Sequence, residues 1–308
     1  MLVLIAGITG SLGQRLARVA LSRGLSVRGL GRSPDALSPE LSWRLESFTK
    51  STSYYDIPAL DKAVTGVDAI ICAYAPIPIL DLDGHLLLRA AERAGIKIFI
   101  ASSWSRDWTN IRFGDFEHYD NHIAFQTQVE RTSPINPVYI LSGIFADLLL
   151  TPYGPGGFEK NGEKVTMKYW GDGDVRSVWP WSTQEDAAEW TIDILMYGEG
   201  VQAGKGGFFK IRSGDTTIRE LADVYEKVFG TKVEVAHEGS VGDLEADLAR
   251  LRKEGGGANA VEIMAKAAAV VASKRGWEIP DFTVLEQFKK PTTLEEYFKG
   301  EKDKQNSK

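Results

Sequence analysis

Along the first 150 residues, short apolar runs alternate with segments of helical periodicity. The runs LVLIAG, SVRGLGR, DAIICAY, IKIFIAS and VYILSG are separated by LGQRLARVALSRG, DGHLLLRAAERAG and a helix passing through Gln126. Runs that stay apolar at successive positions fit strands buried on both faces. Strands alternating with helices build a parallel sheet covered on both sides, the doubly wound α/β architecture. Gly24 and Gly95 each close a helix and hand over to a strand.

Beyond residue 150 the alternation loosens. TPYGPGGFEKNGEKV is a turn-rich crossing that opens a second, smaller lobe, some of whose segments return to the sheet. Capping-box spacing marks helix starts at Ser182 with Glu185, Thr217 with Glu220 and Thr293 with Glu296. VRSVWPW and GGFFKIRSG read as short strands. GDLEADLARLRK reads as a helix ending at the glycines 255–257, and an alanine-rich helix follows to Lys274. The expected division is a doubly wound domain over 1–152, a partly discontinuous smaller lobe over 153–300, and a disordered tail, EKDKQNSK, over 301–308.

Composition narrows the partners. Among 308 residues, 36 basic against 42 acidic side chains give a net charge of −6, with no long basic run, so neither nucleic acid nor an anionic membrane is an expected partner. The amino terminus lacks a basic n-region, and the longest apolar run, VYILSGIFADLLL, falls short of the roughly 20 residues of a membrane span. The single cysteine, Cys72, sits in AIICAYA as a buried thiol, which fits a reducing cytosol. A cytoplasmic monomer or homodimer acting on a small molecule is the expectation.

The strongest local signal is LVLIAGITGSLGQRLARVA, where a strand, a glycine-rich turn and a helix follow in order. Gly7 permits the turn, Gly10 lets the backbone approach a pyrophosphate, and Gly13 lets the helix pack closely. Thr9 and Leu12 lie in the same loop, and the first-turn N–H groups supply the anion site. About twenty residues on, where a carboxylate would hold a ribose 2′-hydroxyl, the chain carries Arg28 and Arg32. Arg32 stands at the carboxyl end of the second strand and suits a 2′-phosphate, so NADP(H) is favoured over NAD(H).

These features together resemble the NmrA-like group of atypical short-chain dehydrogenases, which includes plant isoflavone reductases and pinoresinol-lariciresinol reductases. The resemblance rests on GITGSLG, Arg32, IKIFIASSW, the helix ending TQVER, VYILSGIFADLL and GDGDVRSVWPWSTQEDAAEWTIDIL. It implies an NADP(H)-binding Rossmann domain, a smaller substrate lobe, and an active site in the cleft between them. The family's reductases carry a lysine three residues before the valine of VER, and Gln126 stands there in this chain. A glutamine amide exchanges hydrogen bonds but does not titrate. No Tyr-x-x-x-Lys spacing occurs either.

His118, His122 and Gln126 are spaced four apart. If Gln126 faces the nicotinamide, His122 lies one turn earlier on the same face and is the best available acid-base group, with His118 and Tyr119 beside it. Both histidines are equally compatible with ordinary polar contacts at a helix start. Ser102, Ser103 and Trp104 follow the fourth recognised strand at its carboxyl end, and Tyr74 and Pro76 follow the preceding one. Of eight tryptophans, Trp104, Trp108, Trp170, Trp179 and Trp181 fall where they could line a cleft for a flat aromatic or polycyclic substrate, or fill a core.

Three functions compete. The first is an NADPH-dependent reductase of an aromatic or conjugated molecule in secondary metabolism. The second is a non-redox isomerase or cyclase using His118 and His122, and the third is an NADP(H)-sensing regulator without turnover.

Overall fold

The computed structural model describes residues 1–75, 84–255, 259–280 and 289–307; Pro76 and the glycines at 256 and 257 lie outside them. The first half alternates strand and helix: β1 (Leu2–Ala6), α1 (Ser11–Ser22), β2 (Ser26–Gly31), α2 (Pro39–Arg44), β3 (Ser47–Lys50), α3 (Ile57–Val64) and β4 (Ala69–Cys72). It continues with α4 (His85–Arg93), β5 (Ile98–Ile100), α5 (Asp120–Thr132), β6 (Val138–Leu141) and the short β7 (Ile144–Phe145). The second half supplies β8 (Glu159–Asn161), β9 (Lys164–Tyr169), α6 (Gly173–Arg176), β10 (Trp179–Ser182), α7 (Gln184–Tyr197), β11 (Gly207–Lys210) and β12 (Gly214–Thr216). It closes with α8 (Ile218–Phe229), β13 (Val233–His237), α9 (Val241–Glu254), α10 (Ala260–Ser273) and α11 (Leu294–Asn306).

Seven strands form one parallel sheet in the order β11-β6-β5-β4-β1-β2-β3. Alternate residues of each strand feed separate cores on the two faces. Leu4, Ile70, Phe99 and Leu141 enter one, and Val3, Ile5, Ile71 and Ile140 enter the other. Each such side chain contributes about 1.5–3 kcal/mol when fully buried. The central runs, β1 and β4 to β6, are therefore apolar throughout because both faces are covered. The chain runs outward from β1 in both directions, so a crevice opens above the carboxyl ends of β1 and β4, where the strand order reverses.

Segments from the second half return to this sheet. Strand β11 pairs with β6 at the edge, and α7 lies along α1, tied by Arg15–Glu185 at 2.6 Å and Arg23–Glu189 at 3.0 Å. Two three-stranded sheets, β12-β10-β7 and β13-β9-β8, build the smaller lobe.

Several local expectations shift. Strand β3 and helices α2 and α3 were not expected, because SFTK is short and half exposed and the two helices are brief. Helix α7 is capped by Thr183, whose side chain accepts from the Asp186 N–H, so its start lies one residue after Ser182. Ser182 instead closes β10 and donates to the Ser142 carbonyl. Thr217 and Thr293 do form full capping boxes. The segment from 301, expected as a disordered tail, continues α11 as far as Asn306. Lys302 donates to the Val228 carbonyl at 2.7 Å and Lys304 pairs with Glu301 at 2.7 Å, which gives those last turns partners. None of the described helices is long and apolar enough to cross a membrane.

Candidate active site

A cavity of about 660 Å³ occupies the crevice above the parallel sheet. Its floor is made by residues just past successive strand ends: the Gly7–Leu12 loop after β1, Arg32 after β2, and Tyr54 after β3. Tyr74 follows β4, Ser102 follows β5 and Gly143 follows β6. Gly7 adopts φ +77°, and a Cβ there would sit 2.4 Å from the Ala73 carbonyl oxygen. At Gly13 a Cβ would meet the Gly7 oxygen at 2.2 Å, so only glycine lets α1 lie against the loop. Gly13 thus packs the helix, while Gly7, Thr9, Gly10 and Leu12 line the cavity. Helix α1 has no side-chain cap bond and no acidic residue in its first turn, and Gly10, Ser11 and Leu12 at its start line the cavity.

Arg28 and Arg32 have different fates. Arg28 is spent on structure, bonding Glu46 and the carbonyls of Ala63 and Thr65. Arg32 is exposed, lies 5.2 Å above the Tyr54 ring, and lines the cavity beside Ser51 and Ser53. Tyr54 in turn packs edge-on against Tyr74 at 4.7 Å. Ser102 Oγ donates to the Tyr74 carbonyl at 2.5 Å and so locks the β4 and β5 ends together.

The opposite wall is aromatic. Phe116, His118, Tyr119 and His122 come from the turn before α5 and its first turn, and Trp277 with Met264 and Ala268 comes from α10 and the segment after it. His122 is 2% exposed; its ring stacks on Trp108 at 4.7 Å and lies 5.5 Å from Tyr119. His118 precedes the helix in a 3-10 turn, 5.1 Å from Tyr119. Tyr119 accepts a hydrogen bond from Ser105 Oγ at 2.6 Å. Burial raises the Tyr119 pKa, opposed by that hydrogen bond and by Arg106. The site therefore brings two groups capable of acid-base work, Tyr119 and His122, to the far end of a cleft that begins at the glycine loop.

Four expected site residues lie elsewhere. Gln126 does not line the cavity: its Oε1 accepts from the Trp108 indole at 3.1 Å and its Nε2 donates to Glu130 at 2.8 Å, so the amide is satisfied outside the cleft. Ser103 is buried and staples β5 to β6, accepting from the Ile140 N–H at 2.7 Å. Trp179 and Trp181 are buried in β10 behind the wall, Trp179 stacked on Trp277 at 4.6 Å. Trp104 does line the cavity, with its indole N–H held by Thr191 at 2.9 Å. Tyr54, Ser105, Phe116 and Trp277 were not expected. Recognising β3 would have placed STSYY at a strand end and pointed to Tyr54, but nothing local in the sequence marks Trp277. No group of acidic, histidine or cysteine residues suited to a metal occurs among the described residues.

Comparisons with known proteins agree with this fold. The chain is 28% identical over 251 residues to a bifunctional pinoresinol-lariciresinol reductase of Linum usitatissimum, covering 75% of this chain and 76% of that one. Leucoanthocyanidin reductase of Vitis vinifera, solved with NADPH, superposes with a TM-score of 0.74 at 20% identity over 98% of this chain and 99% of that one. AtPrR2, solved with NADP+ and (+)-pinoresinol, gives 0.73 at 20% identity over 96% and 97%. The NmrA-like family model matches residues 1–298, and the chain belongs to that family.

Proposed function

We propose that the protein is an NADPH-dependent reductase of an aromatic or conjugated small molecule. The observation that carries this reading is the continuity of one cavity from the glycine loop and Arg32 to the aromatic wall of Phe116, Tyr119, His122 and Trp277. The α1 amide groups would hold the pyrophosphate, and Arg32 with Ser51 and Ser53 the 2′-phosphate. Bound NADPH supplies a hydride. The protein's own part is to seat a flat acceptor against the aromatic wall, exclude water from it, and deliver a proton from Tyr119 or His122. The reductases of lignans among its relatives support an acceptor of phenylpropanoid type and a place in secondary metabolism. The buried lone thiol of Cys72 suits a cytosolic setting.

Gln126 supports a second reading. With no lysine at that helix position and with His122 and Tyr119 on the wall, the same pocket could catalyse acid-base isomerisation or cyclisation without redox. Absorbance at 340 nm with a panel of lignans, flavonoids and quinones separates the two. The reductase consumes NADPH with at least one acceptor and leaves NADH nearly untouched. Conversion of a panel member with no NADPH consumed would favour the isomerase.

A further inference from the structure

Arg106 has no place in the sequence patterns, yet it is fully buried directly behind the aromatic wall. Its Nη2 donates to Asn110 at 2.8 Å and to the Gly276 carbonyl, while Nε and Nη1 have no hydrogen-bond partner among the described residues. The neighbouring carboxylate, Asp107, is engaged by Thr109 and Lys210. What the guanidinium does face is a pair of rings, Tyr119 and Trp277, each 5.7 Å away. A buried cation so sparsely compensated is costly unless negative charge arises beside it.

The Tyr119 hydroxyl is where such charge could arise. Its oxygen receives the Ser105 Oγ–H at 2.6 Å, and the Arg106 guanidinium lies 5.7 Å from the ring centre. With a donor already aimed at the phenol oxygen, its own proton is left to be given away, and that donor and the nearby cation are placed to hold the anion that remains. His118 and His122 are the other titratable groups facing the ring, at 5.1 and 5.5 Å.

We propose that Tyr119 is the proton donor of the reaction and that Arg106, acting through it, is the fixed positive charge that with Ser105 holds the phenolate left behind. The assignment rests on the reductase reading. As hydride adds to the acceptor carbon, the π pair of its conjugated C=O moves to oxygen. The new O–H bond forms there while the Tyr119 O–H breaks. The nicotinamide leaves oxidised, and the phenolate then regains a proton from solvent. Arg106 is a positioning residue in this scheme, because it touches neither acceptor nor cofactor.

The test uses NADPH deuterated at the transferable position, trans-cinnamaldehyde as probe acceptor, whose carbonyl carbon retains the deuteron in the alcohol formed, and the variants Tyr119→Phe, Arg106→Met and Arg106→Lys. Tyr119→Phe is expected to lower kcat at least 100-fold with NADPH affinity within twofold. Arg106→Met should lower kcat at least tenfold and shift the alkaline limb of the kcat profile upward by a pH unit or more, because a phenol without its cation is a weaker acid; Arg106→Lys should restore part of both. A structural role for Arg106 would reduce active enzyme without moving that limb. Deuterium transfer by wild type together with a Tyr119→Phe rate within threefold would overturn the proposal and leave the reductase reading standing. If wild type transfers no deuterium, that reading fails on its own, and ¹⁹F NMR of 3-fluorotyrosine-labelled protein decides the rest. The resonance lost in Tyr119→Phe must then titrate at higher pH in Arg106→Met than in wild type, and an unchanged titration would refute the role of Arg106.

Discussion

Replacing Arg32 by alanine tests how the cleft chooses its nucleotide. The guanidinium stands at the mouth, exposed, 5.2 Å from the Tyr54 ring, without an ion pair among the described residues. A 2′-phosphate there would gain one or two charge-assisted hydrogen bonds, each about 1.5–3 kcal/mol, with solvent on the open side keeping the total near the lower end. A loss of about 2–3 kcal/mol corresponds to a Kd for NADPH weakened roughly 30- to 150-fold. NADH lacks the phosphate and loses only what the adenine gains from the guanidinium face, so its Kd should move by no more than about threefold, less than 1 kcal/mol. Isothermal titration of wild type and Arg32→Ala with both nucleotides measures this directly. Raising salt from about 0.05 to 0.3 M should weaken NADPH binding to wild type more than to the variant, because the lost contact is a screened ion pair. Equal losses for the two nucleotides would show that Arg32 supports the site structurally, and no loss for either would remove it from the site.

Other expectations follow from single side chains. Asp186 is fully buried and accepts from Ser213, from the Thr292 hydroxyl and N–H, and from Lys289 at 2.6 Å. Asp186→Ala should therefore cost about 3 kcal/mol in urea denaturation and expose the amides of α11 to hydrogen exchange. Gly13→Ala forces a Cβ to within 2.2 Å of the Gly7 oxygen, so it should destabilise the fold by about 1–3 kcal/mol and abolish measurable NADPH binding in the same titration. Asp193 is 1% exposed, and desolvation raises its pKa against the opposing pull of Arg23. The folded state then holds this proton more tightly than the unfolded state, so the stability it contributes is complete below the unfolded carboxyl pKa and is lost as pH rises through the raised one. Asp193→Asn should flatten that decline in melting curves recorded from acid to neutral pH. Gln126→Lys should pair with Glu130 rather than enter the cleft, leaving the NADPH-dependent rate within about threefold, below 1 kcal/mol in the barrier.

The parallel sheet and the glycine turn after β1 were legible because each depends on a local pattern. Residues 2–6 must be apolar throughout to pass between two cores, and Gly7, Gly10 and Gly13 must be small where backbone meets backbone. The place of Arg32 at the carboxyl end of β2 was legible from its distance past the loop. The aromatic wall was not, because contacts between His122 in α5 and Trp108, or between Tyr119 and Trp277, join segments whose relation only the folded lobe creates. Periodicity placed Gln126 with His122, but helical spacing of four covers a broad face. The Trp108 indole claimed the amide, while His122, one turn earlier, kept its place on the cavity wall. The tryptophans of β10 misled for a related reason: WPWS is buried at every position, so Trp179 supports the wall from behind instead of forming it.

In the proposed reaction this cleft passes a hydride from NADPH to an aromatic acceptor. Its most direct test is incubation of the purified protein with NADPH deuterated at the transferable position and a metabolite extract of the source organism, followed by mass spectrometry. A product one deuteron heavier than its hydrogen counterpart is expected, formed with NADPH and lost on Tyr119→Phe. Consumption of a metabolite without label, equally fast when NADP+ replaces NADPH, would contradict it and leave acid-base chemistry as the function of the site.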